Sequence, residues 1–148
     1  MRSRSRLAND AWEALLTAHA ALLRRFAAEG IWRDVSMREY DVLYTLSKCR
    51  EPLRIGELRR HVLLSQPALS RMVDRLVERG LVARRPDPAD GRAVRLALTD
   101  AGRERQREVG LRHGVGVART LKTGMSIEEL RQLEALCLKL ARIGDSPL

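Results

Sequence analysis

The stretch from Leu64 to Arg85 reads LSQPALSRMVDRLVERGLVARR and is the most informative part of the sequence for the fold. Ser65 is placed to cap a helix whose first turn tolerates Pro67, because a missing backbone N–H costs little there. Apolar residues then recur at the i, i+3, i+4, i+7 and i+8 spacing of a one-sided helix, which Gly80 ends. These inner residues are Leu69, Met72, Val73, Leu76 and Val77. The opposite face is polar and consists of Gln66, Ser70, Arg71, Asp74, Arg75 and Glu78.

A β-hairpin is predicted directly after this helix. Beyond Gly80 the apolar residues change from helical spacing to alternation, first over residues 82–84 and again over residues 93–98. Between the two runs lie residues 86–92, Pro-Asp-Pro-Ala-Asp-Gly-Arg, a segment dense in turn-forming residue types. The hairpin therefore has a polar loop with Arg92 at its basic tip.

A short helix precedes the quoted stretch and is marked by Ile55, Leu58 and Val62. A short helix, a tight turn and a second helix with a polar outer face form a helix-turn-helix, and the hairpin adds a wing. A helix fits the major groove of DNA, where arginine can bind guanine and glutamine can bind adenine through two hydrogen bonds. The loop tip with Arg92 can enter the neighbouring minor groove, where narrow A·T tracts concentrate negative potential.

The distribution of charge favours a nucleic-acid partner over a merely basic surface. The chain has 28 Lys and Arg residues against 19 acids, a net charge of +9. Residues 54–95 hold ten arginines and five acids, an excess of +5 and more than half of the total. The alternatives are a winged-helix adaptor or RNA-binding module, and a small-molecule-binding helical protein with incidental charge. An adaptor would show apolar anchors on the outer face between Gln66 and Arg75.

Long amphipathic helices flank the winged segment on both sides. Residues 8–29 carry apolar side chains at helical spacing up to Gly30, and Ser126 with Glu129 forms a capping box for a last helix. The apolar face of this last helix consists of Ile127, Leu130, Leu133, Cys137, Leu140 and Ala141. Thr99 caps a fifth helix, in which three glycines either produce a kink or permit the close approach of another helix. They are Gly110, Gly114 and Gly116.

The second helix begins with a capping box formed by Ser36 and Glu39. Its apolar face is predicted to consist of Met37, Tyr40, Leu43 and Tyr44, with Val42 and Leu46 on the flanks. The predicted fold class is therefore mainly α with a small β-hairpin wing, a winged helix-turn-helix framed by N- and C-terminal helices.

Three motifs of the sequence resemble the MarR-type transcriptional regulators. They are the quoted stretch from Leu64, the wing sequence Asp87-Pro-Ala-Asp-Gly-Arg-Ala-Val, and Leu98-Thr-Asp-Ala-Gly at the start of the fifth helix. The resemblance implies a triangular homodimer whose two winged lobes bind a pseudo-palindromic operator in double-stranded DNA.

The resemblance also implies segments and roles. An N-terminal dimerisation helix is expected in residues 1–35, a DNA-binding lobe in 36–99 and C-terminal dimerisation helices in 100–148, all in one intertwined domain. Carried over by position, the residues that face DNA are Ser65, Gln66, Ser70, Arg71, Arg75 and Arg92. Asp74 resembles the family acid that pairs with the wing arginine, so it either orients Arg92 or is a plain surface partner of a neighbouring charge.

An effector-responsive repressor is a further implication of the resemblance. Members of the family often bind a small, frequently aromatic anion between the dimer helices and the DNA-binding lobes, and this binding releases DNA. The residues on segments that could line such a cavity are Trp12, His19, Met37, Tyr40, Arg112 and His113. The alternative is that Trp12 and Tyr40 are ordinary core residues and that His19 belongs to an interface.

Other function classes find little support in the sequence. Cys49 and Cys137 lie far apart without a Cys/His cluster, which argues against a disulfide framework and a metal site. A redox role is disfavoured because Cys49 falls near a helix C-terminus and Cys137 lies on an apolar stripe, where burial is expected. Without a phosphate loop or a nucleophile elbow, we expect neither catalysis nor a cofactor. The absence of a membrane-length apolar run or a signal peptide predicts a cytoplasmic protein.

Overall fold

The computed structural model describes residues 3–146, so the outermost two residues of the predicted segments 1–35 and 100–148 lie outside it. The chain divides into two compact units, with the division after His113. The elements in chain order are α1 (Arg4–Ala27), α2 (Met37–Lys48), β1 (Leu53–Arg54), α3 (Ile55–Arg59), α4 (Gln66–Glu78), β2 (Val82–Pro86), β3 (Val94–Leu98), α5 (Asp100–Gly124) and α6 (Ile127–Gly144). The predicted fold class, mainly helical with a small β-sheet wing, is confirmed. Among the described residues, no helix combines the length and the apolar character needed to cross a membrane.

Local signals account for the ends of most helices. The Ser65 hydroxyl accepts a hydrogen bond from the backbone N–H of Ala68, and Gly80 follows α4 with a φ of 71°, a left-handed conformation that favours glycine. The predicted capping boxes of α2 and α6 are both present. The first helix begins at Arg4 rather than residue 8, because Ser3 caps it through the N–H of Arg6.

The sheet contains a strand that the sequence did not predict. The order of its strands is β1-β3-β2, and both pairs are antiparallel. Leu53 and Arg54 of β1 pair with Leu96 and Arg95. A strand of two residues is too short to show alternation, so only its pairing reveals it.

The core of the first unit is formed by one apolar cluster that α2, α3, α4 and the sheet share. Its largest fully buried side chains are Leu43, Leu58, Leu69, Leu76, Val35, Val42, Val73 and Val82. The predicted apolar face of α2 was partly wrong, because Val42 and Leu46 are buried while Tyr44 is 40% exposed and Met37 is half-buried. Since α2 packs against both α3 and β3, its buried face lies at a different angle from the one that apolar spacing indicated.

Close packing explains two glycines of α5. A Cβ on Gly102 would overlap the carbonyl oxygen of Leu81, and the N–H of Gly102 donates to the capping hydroxyl of Thr99 at 2.9 Å. A Cβ on Gly110 would lie 3.0 Å from the Tyr40 hydroxyl. Because α5 is assigned as one helix from Asp100 to Gly124, close approach is the alternative that the structure supports at Gly110.

The helices α1 and α6 leave most of their apolar residues exposed. Phe26 is the one buried residue of α1, and α6 has none. Trp12 on α1 is 58% exposed, and Ile127 and Leu136 on α6 are 72% and 60% exposed. The predicted stripe of α6 is therefore present but not covered within the chain.

Candidate nucleic-acid interface

The helix α4 presents its polar residues on one exposed side. Its apolar residues enter the core, so the polar set is turned outward by the same amphipathic spacing that forms the helix. The predicted DNA-facing residues of the helix and its cap are all exposed, namely Ser65, Gln66, Ser70, Arg71 and Arg75. Arg92 is also exposed in the loop between β2 and β3. This surface carries side chains that can donate hydrogen bonds to base edges and phosphates.

The base of the wing is organised around Asp87, whose side chain is buried although it is charged. Asp87 is 3% exposed, and its Oδ2 accepts hydrogen bonds from Arg54 Nε at 2.7 Å and Arg95 Nε at 2.8 Å. Its Oδ1 accepts from the backbone N–H groups of Ala89 at 2.8 Å and Asp90 at 3.3 Å. The Arg54 guanidinium, followed by the Ala89 N–H, holds the pKa of the Asp87 carboxyl well below its ordinary value.

Sequence reasoning had attributed Asp87 to turn propensity and therefore missed its role. Arg54 lies 33 positions earlier in the chain and on the strand β1 that was not predicted. No local pattern joins these two residues, because their contact depends on the pairing of β1 with β3. Arg95 strengthens the same connection, since its Nη1 donates to the Pro52 carbonyl at 3.2 Å.

The partner of Asp74 differs from the one that the resemblance implied. Asp74 forms an ion pair with Arg84 on β2 rather than with Arg92. Because β2 follows α4 after a single turn and packs against it, Arg84 is the wing arginine that reaches α4. The backbone N–H of Arg92 instead donates to Asp90 Oδ1 at 3.0 Å. Asp74 thus connects α4 to the wing through β2 and not through the loop tip.

Comparison with known proteins agrees with this architecture. The model of the MarR family matches residues 35–94. The multiple antibiotic resistance protein MarR of Escherichia coli K12 is 30% identical over 107 residues, which cover 72% of this chain and 74% of that protein. The chain belongs to the MarR family. As a MarR-family protein it is a transcriptional regulator and not an enzyme.

Solved structures of transcriptional regulators share the fold. A MarR variant from E. coli, crystallised with operator DNA, has a TM-score of 0.72 at 27% identity, over 86% of this chain and 91% of that one. The regulator BldR from Sulfolobus solfataricus has a TM-score of 0.79 at 25% identity, over 95% of this chain and 99% of that one. The winged helix-turn-helix predicted from the sequence is therefore confirmed.

The MarR-family regulator also contains a cavity of about 530 Å³ beside its winged lobe. Two of the residues predicted to face an effector line it, His19 from α1 and Met37 from α2. Further polar lining side chains include Arg38, Lys48 and His61. The wall also includes residues 62–64, which lead directly into the cap of α4.

The other four predicted effector residues lie elsewhere. Tyr40 and His113 belong to an aromatic cluster, in which their ring centroids are 5.7 Å apart and His113 is 5.2 Å from Trp32. His113 Nδ1 lies 3.5 Å from Glu29 Oε2, and burial raises the pKa of Tyr40. Trp12 and Arg112 are exposed on α1 and α5, so the structure does not bring all six predicted residues together.

The two cysteines have different surroundings. Cys49 is half-buried, lines the cavity, and donates from Sγ to the Thr45 carbonyl at 3.3 Å. Cys137 is exposed on α6, contrary to the burial expected from its place on the apolar stripe. The two thiols are not joined, and residues 3–146 contain no cluster of His, Cys, Asp and Glu side chains that could hold a metal ion.

Proposed function

We propose that this regulator is a homodimeric repressor that binds a pseudo-palindromic operator in double-stranded DNA and is released by a small aromatic anion. The observation that carries the proposal is the exposed polar face of α4 beside a wing whose base is anchored by Asp87. The E. coli relative crystallised with operator DNA has the same fold. The parts of the proposal rest on different residues and are tested separately.

The docking geometry follows from the shape of the lobe. The N-terminal half of α4 enters the major groove, where Gln66, Ser70 and Arg71 reach base edges. The wing then lies along the backbone, and Arg92 enters the adjacent minor groove. The outer face of α4 has no large apolar side chain of the kind that anchors a protein partner, which supports DNA over an adaptor function.

The proposed dimer interface is formed by α1 and α6, which pack against a second copy of this chain. Both helices carry apolar stripes that the chain itself leaves exposed. Contiguous exposed apolar patches mark interaction surfaces. A symmetric interface uses the same patch on both copies, so two copies can cover both stripes at once. Two lobes related by such symmetry would match two half-sites of a pseudo-palindrome.

The cavity is the proposed effector site. Its volume is in the range of ordinary small-molecule pockets. Arg38 and Lys48 offer positive charge for a carboxylate, while Met37 and Tyr44 offer apolar surface for a ring. Because residues 62–64 form part of the wall and lead into α4, a ligand that shifts them moves the recognition helix.

The test of DNA binding measures fluorescence anisotropy with duplexes from the region upstream of the regulator's own gene. The Arg71→Ala variant should lose roughly 1–3 kcal/mol of cognate binding and relax discrimination at one base pair. Arg92→Ala should reduce the slope of log affinity against log salt by about one unit. The control is Arg107→Ala on α5, whose exposed guanidinium pairs with Glu104.

The expected footprint covers two half-sites about 10 bp apart, centre to centre. If Arg71→Ala and Arg92→Ala both bind like the parent, the docking geometry is wrong. A duplex RNA of the same sequence serves as competitor, and stronger binding to it would favour an RNA-binding module instead.

The effector site is tested with small aromatic acids such as benzoate and its hydroxylated derivatives. A ligand should raise the Tm of the parent and release a bound duplex, because binding to the folded state stabilises it. Lys48→Ala should weaken both effects by removing a cavity cation, whereas Lys122→Ala on α5 should leave them unchanged. A panel that shifts neither Tm nor DNA affinity would contradict the effector proposal without affecting the DNA-binding proposal.

A further inference from the structure

The amide group of Gln66 is held by an arginine of the preceding helix. Gln66 is the first residue of α4, and Arg59 is the last residue of α3. Arg59 Nη1 donates a hydrogen bond to Gln66 Oε1 at 3.1 Å across the turn that joins the two helices. A guanidinium has donors only, so the amide atom that faces it must be the carbonyl oxygen. The amide NH₂ of Gln66 is therefore the group left for other partners.

The positive charge of Arg59 is not neutralised by an acid. Four other arginines of the lobe form ion pairs with carboxylates, namely Arg54 and Arg95 with Asp87, Arg79 with Glu39, and Arg84 with Asp74. Within residues 3–146, no ion pair joins Arg59 to a carboxylate, and its side-chain partner is the neutral amide of Gln66. Arg59 and Gln66 together present donor groups and a net positive charge at the start of α4.

This arrangement changes the base that Gln66 can recognise. A free glutamine binds adenine by donating to N7 and accepting from the N6 amino group. When the carbonyl oxygen already accepts from Arg59, the nearby cation opposes the approach of a second donor such as that amino group. Guanine presents two acceptors in the major groove, N7 and O6, and so matches a pair of side chains that only donates.

We propose that Arg59 and Gln66 act together as a composite reader of guanine in the major groove, with Arg59 determining the specificity. The inference rests on the proposed DNA-binding function. It further predicts that one position of each operator half-site is guanine. Gln66 touches the base, and Arg59 acts both by fixing the orientation of the amide and by adding its own donors.

The test is selection from a random duplex library with the full-length protein, followed by affinity measurements on single-base variants of the selected site. The parent should select guanine over adenine at one position of each half-site by about 5- to 150-fold, the discrimination of one good bidentate contact. Gln66→Ala identifies this position, because it removes the preference there and leaves the rest of the site unchanged.

Arg59→Ala is the decisive variant. It frees the carbonyl oxygen of Gln66, so the preference at the same position should change from guanine to adenine. Arg59→Lys keeps the charge and a donor, and it should retain guanine with reduced discrimination. The matched control is Arg60→Ala, which removes the neighbouring exposed arginine beside the same helix end and should keep the guanine preference of the parent. Thermal unfolding of each variant verifies that it is folded.

Two results would overturn the composite reader while leaving the DNA-binding function intact. One is a parent that selects adenine at the position that depends on Gln66. The other is a folded Arg59→Ala variant that keeps the guanine preference of the parent. A parent that enriches no duplex at all would instead overturn the proposed DNA-binding function itself.

Discussion

The lobe formed by α2 to β3 buries its apolar side chains, whereas the helices α1 and α6 leave most of theirs exposed. In the lobe, residues such as Leu43, Leu58 and Leu69 are fully buried in one continuous cluster. On α6 no residue is buried, and on α1 the one buried residue is Phe26. All of these helices have amphipathic patterns in the sequence, so the pattern alone does not separate the two regions.

Amphipathic spacing therefore predicts an apolar face but does not identify what covers it. A helix in water gains most of its stability from packing of that face and little from intrinsic propensity. The lobe obtains this packing within the chain, whereas α1 and α6 require a partner, for which we propose a second copy. The following predictions test this distinction, beginning with the largest expected effect.

The double variant Leu133→Asp/Leu140→Asp should abolish the dimer, because it places two carboxylates in the proposed apolar interface on α6. Loss of one of the two lobes from the operator complex should lower the affinity for operator DNA by about 10³-fold or more, towards non-specific binding. Sedimentation velocity measures the dimer, and fluorescence anisotropy measures the affinity.

The control for this variant is Lys139→Asp, which adds an acid to α6 outside the apolar stripe and should remain dimeric. A parent protein that sediments as a monomer at micromolar concentration would contradict the proposal that a second copy packs on α1 and α6.

The same truncation should have unequal effects in the two regions. Leu43→Ala in the core of the lobe should lower the free energy of unfolding by about 2–5 kcal/mol, because it leaves a cavity among fully buried neighbours. Leu138→Ala on α6 removes a side chain that is 55% exposed and lies outside the predicted apolar stripe, so it should change that free energy by less than about 0.5 kcal/mol. Urea denaturation monitored by circular dichroism measures both. Equal losses would mean that Leu138 is covered as fully as the core.

Two glycines of α5 should respond to alanine with opposite signs. Gly102→Ala should destabilise the protein by about 1–3 kcal/mol, since the new Cβ meets the backbone carbonyl of Leu81 and that backbone must shift. At Gly114 a new Cβ would have no described atom within 4 Å, so Gly114→Ala should stabilise the helix by up to about 1 kcal/mol. Thermal unfolding compares the two. A destabilising Gly114→Ala would show that another surface approaches this glycine, as a covering second copy could.

Asp87→Asn should destabilise the wing by leaving Arg54 and Arg95 without their shared carboxylate, and the size of this effect should depend on pH. The pKa of Asp87 is lowered in the folded state, so its ionised carboxylate stabilises the fold at any pH above the ordinary value of 3.8. This contribution is lost as the pH falls below that value and towards the folded pKa. The Tm difference between parent and Asp87→Asn should therefore be constant from pH 8 to pH 6 and shrink between pH 4 and pH 3. A Tm difference that stays constant down to pH 3 would contradict this role of the Asp87 carboxylate.

Features formed by residues close together in the chain were predicted from the sequence, whereas features formed by distant residues were missed. The cap of α4 at Ser65 and the capping boxes of α2 and α6 were predicted because each joins residues three positions apart. The hairpin was predicted because alternation and turn residues are also local. The strand β1 was missed because it consists of two residues and is defined only by its pairing with β3.

The candidate DNA interface was predictable for a related reason. An amphipathic helix turns its polar face away from its core, so Gln66, Arg71 and Arg75 had to be exposed once α4 formed. The connections behind that face were not predictable in the same way. Asp74 was expected either to orient Arg92 or to pair with a neighbouring surface charge, but its ion pair is with Arg84. Asp87 was predicted to be a turn residue, although it holds β1 and β3 together.

Hydrogen bonds and side-chain spacing within a few residues specify most of the helices, the caps of α2, α4 and α6, the hairpin and the polar face of α4. These features were therefore predictable from the sequence alone. The tertiary structure decided which carboxylate anchors the wing, which predicted effector residues reach the cavity, and that Arg59 holds the amide of Gln66. The contact between Arg54 and Asp87, for example, joins residues that are 33 positions apart. Only the packing of the surrounding elements brings such residues within reach. A charged side chain is recognised as buried and paired only when the elements that surround it have been placed.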